Sequence, residues 1–221
     1  MSLAIFDLDN TLLAGDSDYL WGRFLVDKGI VDGAAYEEKN RRFYEDYKAG
    51  NLDIYKFLAF SLRPLAENDP TVLNALHREF MGQCILPIVA PGATALLAKH
   101  RARGDFLLII TATNRFVTAP IAAMLEVDDL LATDPEQVEG RYTGEVSGVP
   151  CYKEGKVQRL EQWLRNTQHD LKDSWFYSDS HNDLPLLERV THPVAVDPDE
   201  ILADHATARG WETISLRDSG E

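Results

Sequence analysis

The chain has 221 residues, of which 45% are hydrophobic and 26% are charged, and its formal net charge is −14. This size and composition predict one globular domain, or a domain with an inserted segment, whose core needs no disulfide or structural metal. The acidic balance argues against binding to nucleic acid or to an anionic membrane, because both need a basic surface on the protein. We see no signal peptide and no apolar run long enough to cross a bilayer, so the expected location is the cytoplasm. Cys84 and Cys151 match no zinc spacing, and free thiols are favoured over a disulfide.

Four short apolar runs are each followed by polar residues, and helical patterns lie between them. The runs are 3–6, 106–110, 175–177 and 193–196, and the helical patterns cover 92–103, 115–125, 156–166 and 183–190. Such runs are typical of strands buried on both faces, and their alternation with helices predicts an α/β fold with a mostly parallel, Rossmann-like sheet. In these sheets ligands bind beyond the carboxyl ends of the strands. Asp7, Thr111 and Asp179 stand at three such ends, so we expect them to converge at one edge of the sheet.

Residues 16–87 interrupt this alternation with a segment that is helical throughout, with breaks at Gly29, at 50–51 and at 63–70. Inserted after the first strand, this segment would stand over the strand ends. We therefore expect an all-helical cap domain at 16–87 and a core domain at 1–15 and 88–221. Packing within a helical bundle is favoured over ligand contact for its aromatic residues. These are Phe24, Phe43, Tyr44, Tyr47, Tyr55, Phe57 and Phe60. Residues 136–148 indicate a hairpin or an exposed loop.

Asp7 and Asp9 are separated by one residue in IFDLDNTL, so in an extended segment their side chains point to the same side. Two carboxylates held together repel each other unless a cation or a proton accompanies them. Together with Asp179 they offer the hard oxygen ligands that Mg²⁺ prefers, while Lys156 and the Thr111 hydroxyl offer a positive charge and a donor. This set suits a phosphoryl group, and a carboxylate can attack phosphorus to form an aspartyl-phosphate. No GxxxxGK[ST] loop is present, which argues against a nucleotide-type P-loop.

DLDNT, the strand-ending Thr111, Lys156 and SDSHND resemble, in this order, the four motifs of the haloacid dehalogenase superfamily of phosphatases. The helical segment between the first two motifs is similar to the cap of subfamily IB, the branch that is phosphoserine-phosphatase-like and histidinol-phosphatase-like. The resemblance extends from residue 3 to about residue 196. It implies an α/β core with an inserted helical cap.

The resemblance implies a role for each matching residue of the catalytic and metal sites. Asp7 would be the nucleophile and a Mg²⁺ ligand. Asp9 would protonate the leaving alcohol and then activate water, with its backbone carbonyl on the metal. Asp179 would be a direct Mg²⁺ ligand, and Asp183 would support either the metal site or Lys156. Because Asp7 must be ionised while Asp9 carries a proton, we expect the two carboxyls to titrate as a coupled unit.

The same resemblance implies contacts to the substrate. Thr111 and Lys156 would hold phosphate oxygens, and Asn114 and Asn182 would contact phosphate or substrate. Where the family usually has a glutamate that grips a substrate amine, this chain has Asp16. The implied substrates are amine-bearing phosphomonoesters such as phosphoserine or histidinol phosphate.

Departures from the family pattern bear on the choice between these substrates. The second motif usually contains Ser-Gly-Gly, and this chain has Thr-Ala-Thr at 111–113. The fourth usually reads GDGxND, and here Ser178 and Ser180 replace both glycines. Since these changes cluster where phosphoserine would be read, histidinol phosphate is the preferred candidate.

The predicted function is therefore that of a Mg²⁺-dependent phosphomonoesterase acting on a small phosphorylated metabolite. The alternative is a non-catalytic phospho-acceptor that resembles a response-regulator receiver and uses the same Asp, Thr, Lys and Mg²⁺ set. Receivers are shorter, lack a large cap and need no second aspartate to expel an alcohol, so the phosphatase is favoured. His181, beside Asp179, is expected to be a solvent-facing loop residue rather than a ligand. The sequence indicates no oligomeric state.

Overall fold

The structure, a computed structural model, describes residues 2–218. Its strands are β1 (Leu3–Phe6), β2 (Phe106–Asn114), β3 (Asp129–Val138), β4 (Arg141–Ser147), β5 (Trp175–Ser178), β6 (His192–Val196) and β7 (Glu212–Ile214). They form one sheet in the order β4-β3-β2-β1-β5-β6-β7. β4 runs antiparallel to β3, and the other neighbouring pairs of these strands are parallel. The predicted Rossmann-like, mostly parallel sheet is confirmed.

The four strands predicted from apolar runs lie side by side in the middle of the sheet, and β1 is buried along its whole length. Successive side chains of a strand point to opposite faces. Ala4 and Phe6 therefore join the hydrophobic cluster on one face, whereas Leu3 and Ile5 join the cluster on the other. Burial of each large apolar side chain contributes roughly 1.5–3 kcal/mol. This burial holds the end of β1, and with it Asp7, at the centre of the sheet edge.

The helices of residues 2–218 are α1 (Ser17–Asp27), α2 (Gly33–Lys48), α3 (Ile54–Ser61), α4 (Arg63–Glu67), α5 (Pro70–Phe80), α6 (Ala93–Ala102), α7 (Arg115–Met124), α8 (Glu154–Asn166), α9 (Leu184–Leu187) and α10 (Glu200–Arg209). Short turns of other helical types cover Leu8–Leu12, Met81–Ile85, Leu86–Ile88 and His181–Asp183. α1 to α5 make up the predicted inserted segment, which is helical as expected. α6, α7 and α8 match the helical patterns at 92–103, 115–125 and 156–166.

The inserted helices pack in two different ways. Trp21 and Phe24 of α1 and Phe80 of α5 belong to the same buried cluster as Phe6 of the sheet. The residues between them build a smaller cluster of their own, which consists of Leu58, Leu62, Leu65 and Leu73. One part of the segment thus shares the core of the sheet, and the other packs its own cluster against Phe116 of α7 and Tyr142 and Val146 of β4. The division into a core and a cap at residues 16 and 87 stays a prediction.

Several elements differ from the sequence expectations. Regular pairing of β2 with β3 ends at Ile110, but β2 continues irregularly to Asn114, so Thr111 lies within the strand rather than beyond it. α4 occupies much of the predicted break at 63–70, because Pro64 stands in the first turn, where a helix tolerates proline. The 136–148 region is a hairpin, and its turn has positive φ at Glu139 and Gly140. β7, α10 and the first half of β3 were not predicted.

Two expectations from composition can be compared with the structure. Cys84 and Cys151 are free thiols, as expected, and burial raises the pKa of the Cys151 thiol to about 12. Within residues 2–218, every helix is too short or too polar to cross a membrane.

Candidate active site

The turn that follows β1 sets the positions of Asp7 and Asp9. The Asp7 N–H donates to the Tyr177 carbonyl of β5 at 2.9 Å, so the backbone of Asp7 continues the sheet. Asn10 then takes a left-handed conformation with φ of 58°, which asparagine adopts more readily than most residues. The Leu13 N–H closes the turn by donating to the Leu8 carbonyl at 3.0 Å. The chain reverses here, and both aspartates remain buried at the sheet edge.

Lys156, in the first turn of α8, lies between two carboxylates. Its Nζ donates to Asp7 Oδ1 at 2.7 Å and to Asp183 Oδ2 at 2.8 Å. The Ser178 hydroxyl donates to the same Asp183 oxygen at 2.7 Å. Burial raises the pKa of the Asp7 carboxyl to about 7, although the neighbouring Lys156 opposes this shift. Burial alone would lower the pKa of the Lys156 ammonium, but Asp183 and Asp7 together raise it, and the ammonium stays charged.

Asp9 is held by two donors. Its Oδ1 accepts the Ser17 N–H at 2.6 Å, and its Oδ2 accepts the Thr113 hydroxyl at 2.7 Å. Burial raises the pKa of the Asp9 carboxyl, and these hydrogen bonds only partly counteract that effect. A carboxyl with a raised pKa is suited to give up and recover a proton near neutral pH.

The Thr11 hydroxyl lies between the carboxylates of Asp179 and Asp7. The Thr11 hydroxyl donates to Asp179 Oδ1 at 3.1 Å, lies 3.5 Å from Asp7 Oδ2, and accepts the Asp179 N–H at 3.1 Å. Burial, and after it the negative charges of Asp7 and Asp183, raise the pKa of the Asp179 carboxyl well above its usual value. Sequence reasoning quoted Thr11 in DLDNT but gave it no role. Its place between the two carboxylates makes it part of the site.

The carboxylates of this site can be compared with the ligands that Mg²⁺ prefers. In residues 2–218, no three His, Cys, Asp or Glu side chains are grouped as a ready metal site. Magnesium in phosphate sites, however, usually takes one or two carboxylates and completes its octahedron with water and substrate oxygens. The buried Asp7 and the half-buried Asp179 are two carboxylates that share a hydroxyl, and the charge of Asp7 disfavours that of Asp179. The donor set therefore fits Mg²⁺ bound together with a phosphate, whereas Asp183 is engaged by Lys156 and Ser178.

The predicted phosphate and substrate residues divide into two groups. Thr111 is buried in the wall of a cavity that also reaches Asp7, and Asp16 lies in the same wall. Asn114 instead caps α7 by accepting the Val117 N–H at 3.2 Å. Asn182 donates to the Tyr47 carbonyl at 3.1 Å and accepts the Tyr152 hydroxyl at 3.2 Å. Neither asparagine is among the described residues that line the cavity.

The cavity has a volume of about 540 Å³, part of it open to solvent, and lies between the sheet edge and α1, α2 and α3. Asp7, Asp9 and Thr111 line the part that belongs to the sheet. The part contributed by the inserted segment is lined by Asp16, Asp18, Tyr19, Asn40, Phe43, Tyr44, Tyr47, Leu52, Ile54 and Phe57. The expectation that the aromatic residues serve helix packing holds for Phe24, which is buried in the core, and for Phe43 and Phe57, which pack against each other. Phe43, Tyr44, Tyr47 and Phe57 also line the cavity, which was not expected from the sequence. The helical pattern could not separate these positions, because a cavity wall and a core position are both apolar in sequence.

The chain matches the model of the haloacid dehalogenase-like hydrolases over residues 4–188. It belongs to this family. The predicted relationship to this family is confirmed.

Relatives of this haloacid dehalogenase-like hydrolase carry more specific names. A histidinol-phosphatase of Neisseria meningitidis is 44% identical over 98% of this chain and 99% of its own length. A phosphoserine phosphatase of Mycobacterium tuberculosis is 31% identical over 97% of this chain and 70% of its own length. The crystal structure of a protein of unknown function from Bordetella pertussis has 46% identity, a TM-score of 0.92 and coverage of 97% of this chain and 98% of that one. The hydrolase is thus an enzyme of the phosphatase class whose relatives act on small phosphorylated substrates.

A substrate-bound phosphoserine phosphatase has the same fold, with a TM-score of 0.71 at 17% identity over 99% of this chain and 93% of that one. At this identity the likeness concerns the fold alone. It agrees with the α/β architecture of the hydrolase and carries no information about its substrate.

The end of α2 in this hydrolase is attached to the strand-end loops by contacts that we call the α2 clasp, formed by Tyr47, Gly50, Lys153, His181 and Asn182. The Asn182 amide donates to the Tyr47 carbonyl, and Lys153 Nζ donates to the Gly50 carbonyl at 2.7 Å. His181 packs against Gly50, and its Nδ1 lies 2.7 Å from Asp199 Oδ2. The expectation of a solvent-facing His181 is wrong, because only 13% of its side chain is exposed. The clasp thus holds the end of α2, including Tyr47, which lines the cavity.

Proposed function

We propose that this phosphatase hydrolyses an amine-bearing phosphomonoester in a Mg²⁺-dependent reaction that passes through a phosphorylated Asp7. The observation that carries the proposal is the environment of Asp7. Its carboxylate stands in the wall of the cavity, 2.7 Å from the Lys156 ammonium and within reach of the hydroxyl that also binds Asp179. A nucleophilic carboxylate needs such positive charge nearby, because it must stay ionised while it approaches a phosphate.

In this proposal Mg²⁺ would be held by Asp7, Asp179 and the Asp9 backbone carbonyl, and would supply positive charge to the phosphate oxygens. Lys156 would neutralise Asp7 and hold a phosphate oxygen, and Thr111 would donate its hydroxyl to another. Asp183 would keep Lys156 in place through the 2.8 Å hydrogen bond.

The chemistry assigned to the two aspartates is a double displacement. An Asp7 oxygen bonds to phosphorus as the bond from phosphorus to the substrate oxygen breaks, and Asp9 gives its proton to the departing alkoxide. Asp9 then takes a proton from a water molecule whose oxygen attacks phosphorus, which releases inorganic phosphate and restores Asp7. The raised pKa of Asp9 supports this role, since the carboxyl must begin protonated.

Histidinol phosphate is the first candidate substrate, and phosphoserine is the second. The histidinol-phosphatase of Neisseria meningitidis supports the first, with 44% identity over nearly the full length of both chains. The acidic and aromatic wall contributed by the inserted segment also supports a substrate with an amine and an apolar or aromatic body. We further propose that the protein works in the cytoplasm, where Cys84 and Cys151 would remain the free thiols observed.

The test is phosphate release from a panel of small phosphomonoesters, with Mg²⁺ and with excess chelator, for the wild type and Asp7→Asn. We expect one substrate to reach a kcat/KM within roughly 10⁴–10⁸ M⁻¹ s⁻¹ and to depend on Mg²⁺. Asp7→Asn should fold normally and lose about 10³-fold or more of kcat, because the amide is not a nucleophile. The exposed Asp27→Asn is the matched control. Failure of every substrate, combined with a stable acyl phosphate formed from acetyl phosphate, would favour the phospho-acceptor instead.

A further inference from the structure

Two carboxylates, the half-buried Asp16 and the buried Asp18, begin α1 on the cavity wall, and only one of them has a hydrogen-bond partner. Asp16 caps the helix, and its Oδ1 accepts the Tyr19 N–H at 2.8 Å. Asp18 follows two residues later, is only 8% exposed, and lines the same cavity. Its Oδ2 is sealed from solvent and accepts no hydrogen bond from the described residues. A buried carboxylate oxygen without a donor is costly, so its retention at a cavity wall requires a reason.

Within residues 2–218, no cationic side chain forms a salt bridge with this pair, Asp16 and Asp18, whereas Asp7 is paired with Lys156. Burial, and then the charges of Asp16 and Asp9, raise the pKa of the Asp18 carboxyl well above its usual value. Burial and the two neighbouring charges all disfavour the ionised form of Asp18, whereas a cation placed between the carboxylates would favour it. A cationic ligand would supply the positive charge that the described side chains do not provide.

The position of the two aspartates and the residues that line the cavity restrict the chemical class of the ligand further. Asp16 is the N-cap of α1 and Asp18 lies in the first turn of that helix, and both line the cavity that also contains Asp7 and Asp9. The adjoining wall contains two aromatic pairs, with ring centroids 5.0 Å apart for Tyr19 and Tyr44 and 5.5 Å apart for Phe43 and Phe57. Aromatic rings attract cations and pack against flat rings.

On the basis of the proposed function, we propose that Asp18 is a specificity residue that receives a second, ring-borne cation of the substrate, while Asp16 receives its primary ammonium. The substrate class is then a phosphomonoester that carries both a primary amine and a flat nitrogen heterocycle such as an imidazolium. A substrate with the amine alone leaves Asp18 without a partner. Sites that leave a buried polar group unpaired discriminate strongly against the smaller ligand.

Kinetics on matched substrates test this assignment. Histidinol phosphate carries both groups, and O-phosphoethanolamine carries only the amine. Asp18→Asn should reduce the ratio of kcat/KM for the first substrate to that for the second by about 10- to 100-fold, mainly through KM, since a hydrogen bond to a charged group is lost. Asp16→Asn should lower both values together, and Asp27→Asn, an exposed change in the same helix, should alter neither. An unchanged ratio in Asp18→Asn overturns the proposal.

Binding of histidinol itself separates this proposal from the proposed function, because histidinol has no phosphate. Isothermal titration should show about tenfold or greater weakening in Asp18→Asn and no change in Asp27→Asn. The ligand-free Asp18→Asn protein should melt about 2–4 °C higher than the wild type, since an uncompensated buried carboxyl is removed. If histidinol binds through Asp18 but no phosphomonoester is hydrolysed, only the proposed function fails. Equal binding by wild type and variant, or a lowered melting temperature with equal losses on all substrates, overturns the role of Asp18.

Discussion

At the scale of single residues, the site depends on a lysine that serves two carboxylates. Lys156 is 2% exposed, and its ammonium contacts both Asp7 and Asp183. Removal of any one member of this buried triad leaves a charge unpaired, and an unpaired charge is costly to bury. The same lysine therefore matters for the fold and for the proposed reaction.

Lys156→Met should lower kcat about 10²- to 10³-fold, because the proposed nucleophile and the phosphate lose their fixed positive charge. The variant should also be destabilised by about 3–5 kcal/mol, since Asp7 and Asp183 then repel each other without compensation. Phosphate release and urea unfolding measure the two effects. The exposed Lys99→Met should match the wild type in both, and a Lys156→Met protein with full activity would exclude Lys156 from the reaction.

A second residue, Asp134, attaches β3 to two helices. Arg115 of α7 and Arg159 of α8 both donate to its carboxylate. Burial acts to raise the pKa of Asp134, but the two guanidinium groups outweigh it and hold the pKa below its usual 3.8. When the pKa of a carboxyl is lower in the folded protein than in the unfolded chain, its ionised form stabilises the fold. This stabilisation is complete at pH values above the pKa of the unfolded chain and is lost as the pH falls through the pKa of the folded protein.

Asp134→Asn should therefore cost about 1–3 kcal/mol of unfolding free energy at pH 7. The difference from wild type should stay constant down to about pH 5 and then shrink below about pH 4. Urea unfolding at several pH values measures this, with the exposed Asp204→Asn as the control. A difference that does not change with pH would mean that the charge of Asp134 contributes nothing.

At the scale of secondary-structure elements, the α2 clasp depends on a glycine at a crowded point. Gly50 has φ of 70°, and a Cβ atom there would lie 2.6 Å from His181 Nε2. Gly29, after α1, has nearly the same φ of 67°, but a Cβ atom there would have no neighbour within 4 Å. The two glycines therefore share the backbone requirement and differ in their surroundings.

Gly29→Ala should cost about 1 kcal/mol, which is the strain of a left-handed alanine alone. Gly50→Ala should cost clearly more, and it should also raise KM, because the end of α2 must move away from His181 and loosen the cavity wall. Thermal unfolding and steady-state kinetics compare the pair. Equal costs and an unchanged KM in both variants would show that the clasp does not hold the cavity wall in place.

At the scale of the whole molecule, the inserted helices and the sheet share a core. Trp21 of α1 and Phe80 of α5 pack with their ring centroids 5.1 Å apart, in the cluster that also contains Phe6 of β1. Shared burial of this kind couples the unfolding of neighbouring elements. The predicted division into a core and a cap at residues 16 and 87 describes where the segment is inserted in the chain. It does not determine whether the two parts unfold together.

We expect wild-type unfolding in urea to be a single transition, with coincident curves from tryptophan fluorescence and far-ultraviolet circular dichroism. Trp21→Ala should lower the stability of the whole molecule by about 3–5 kcal/mol, because it leaves a cavity between α1, α5 and the sheet. Tyr55→Ala, at a side chain that is 65% exposed, is the control. Two separate transitions, with Trp21→Ala affecting only one, would show that the cap is an independent folding unit.

The sequence by itself determined the sheet, its direction and the meeting of Asp7, Asp179 and Lys156. Continuous apolar runs identify strands buried on both faces, and parallel strands bring their carboxyl ends to one edge wherever they stand in the chain. Only the tertiary structure decided which side chains of the inserted segment face that edge. Phe43, Tyr44 and Asp18 follow the same helical periodicity as core and surface residues, and periodicity shows which face of a helix is apolar but not what covers it. The half of the cavity that belongs to the sheet was therefore predictable, and the half contributed by the inserted segment was not.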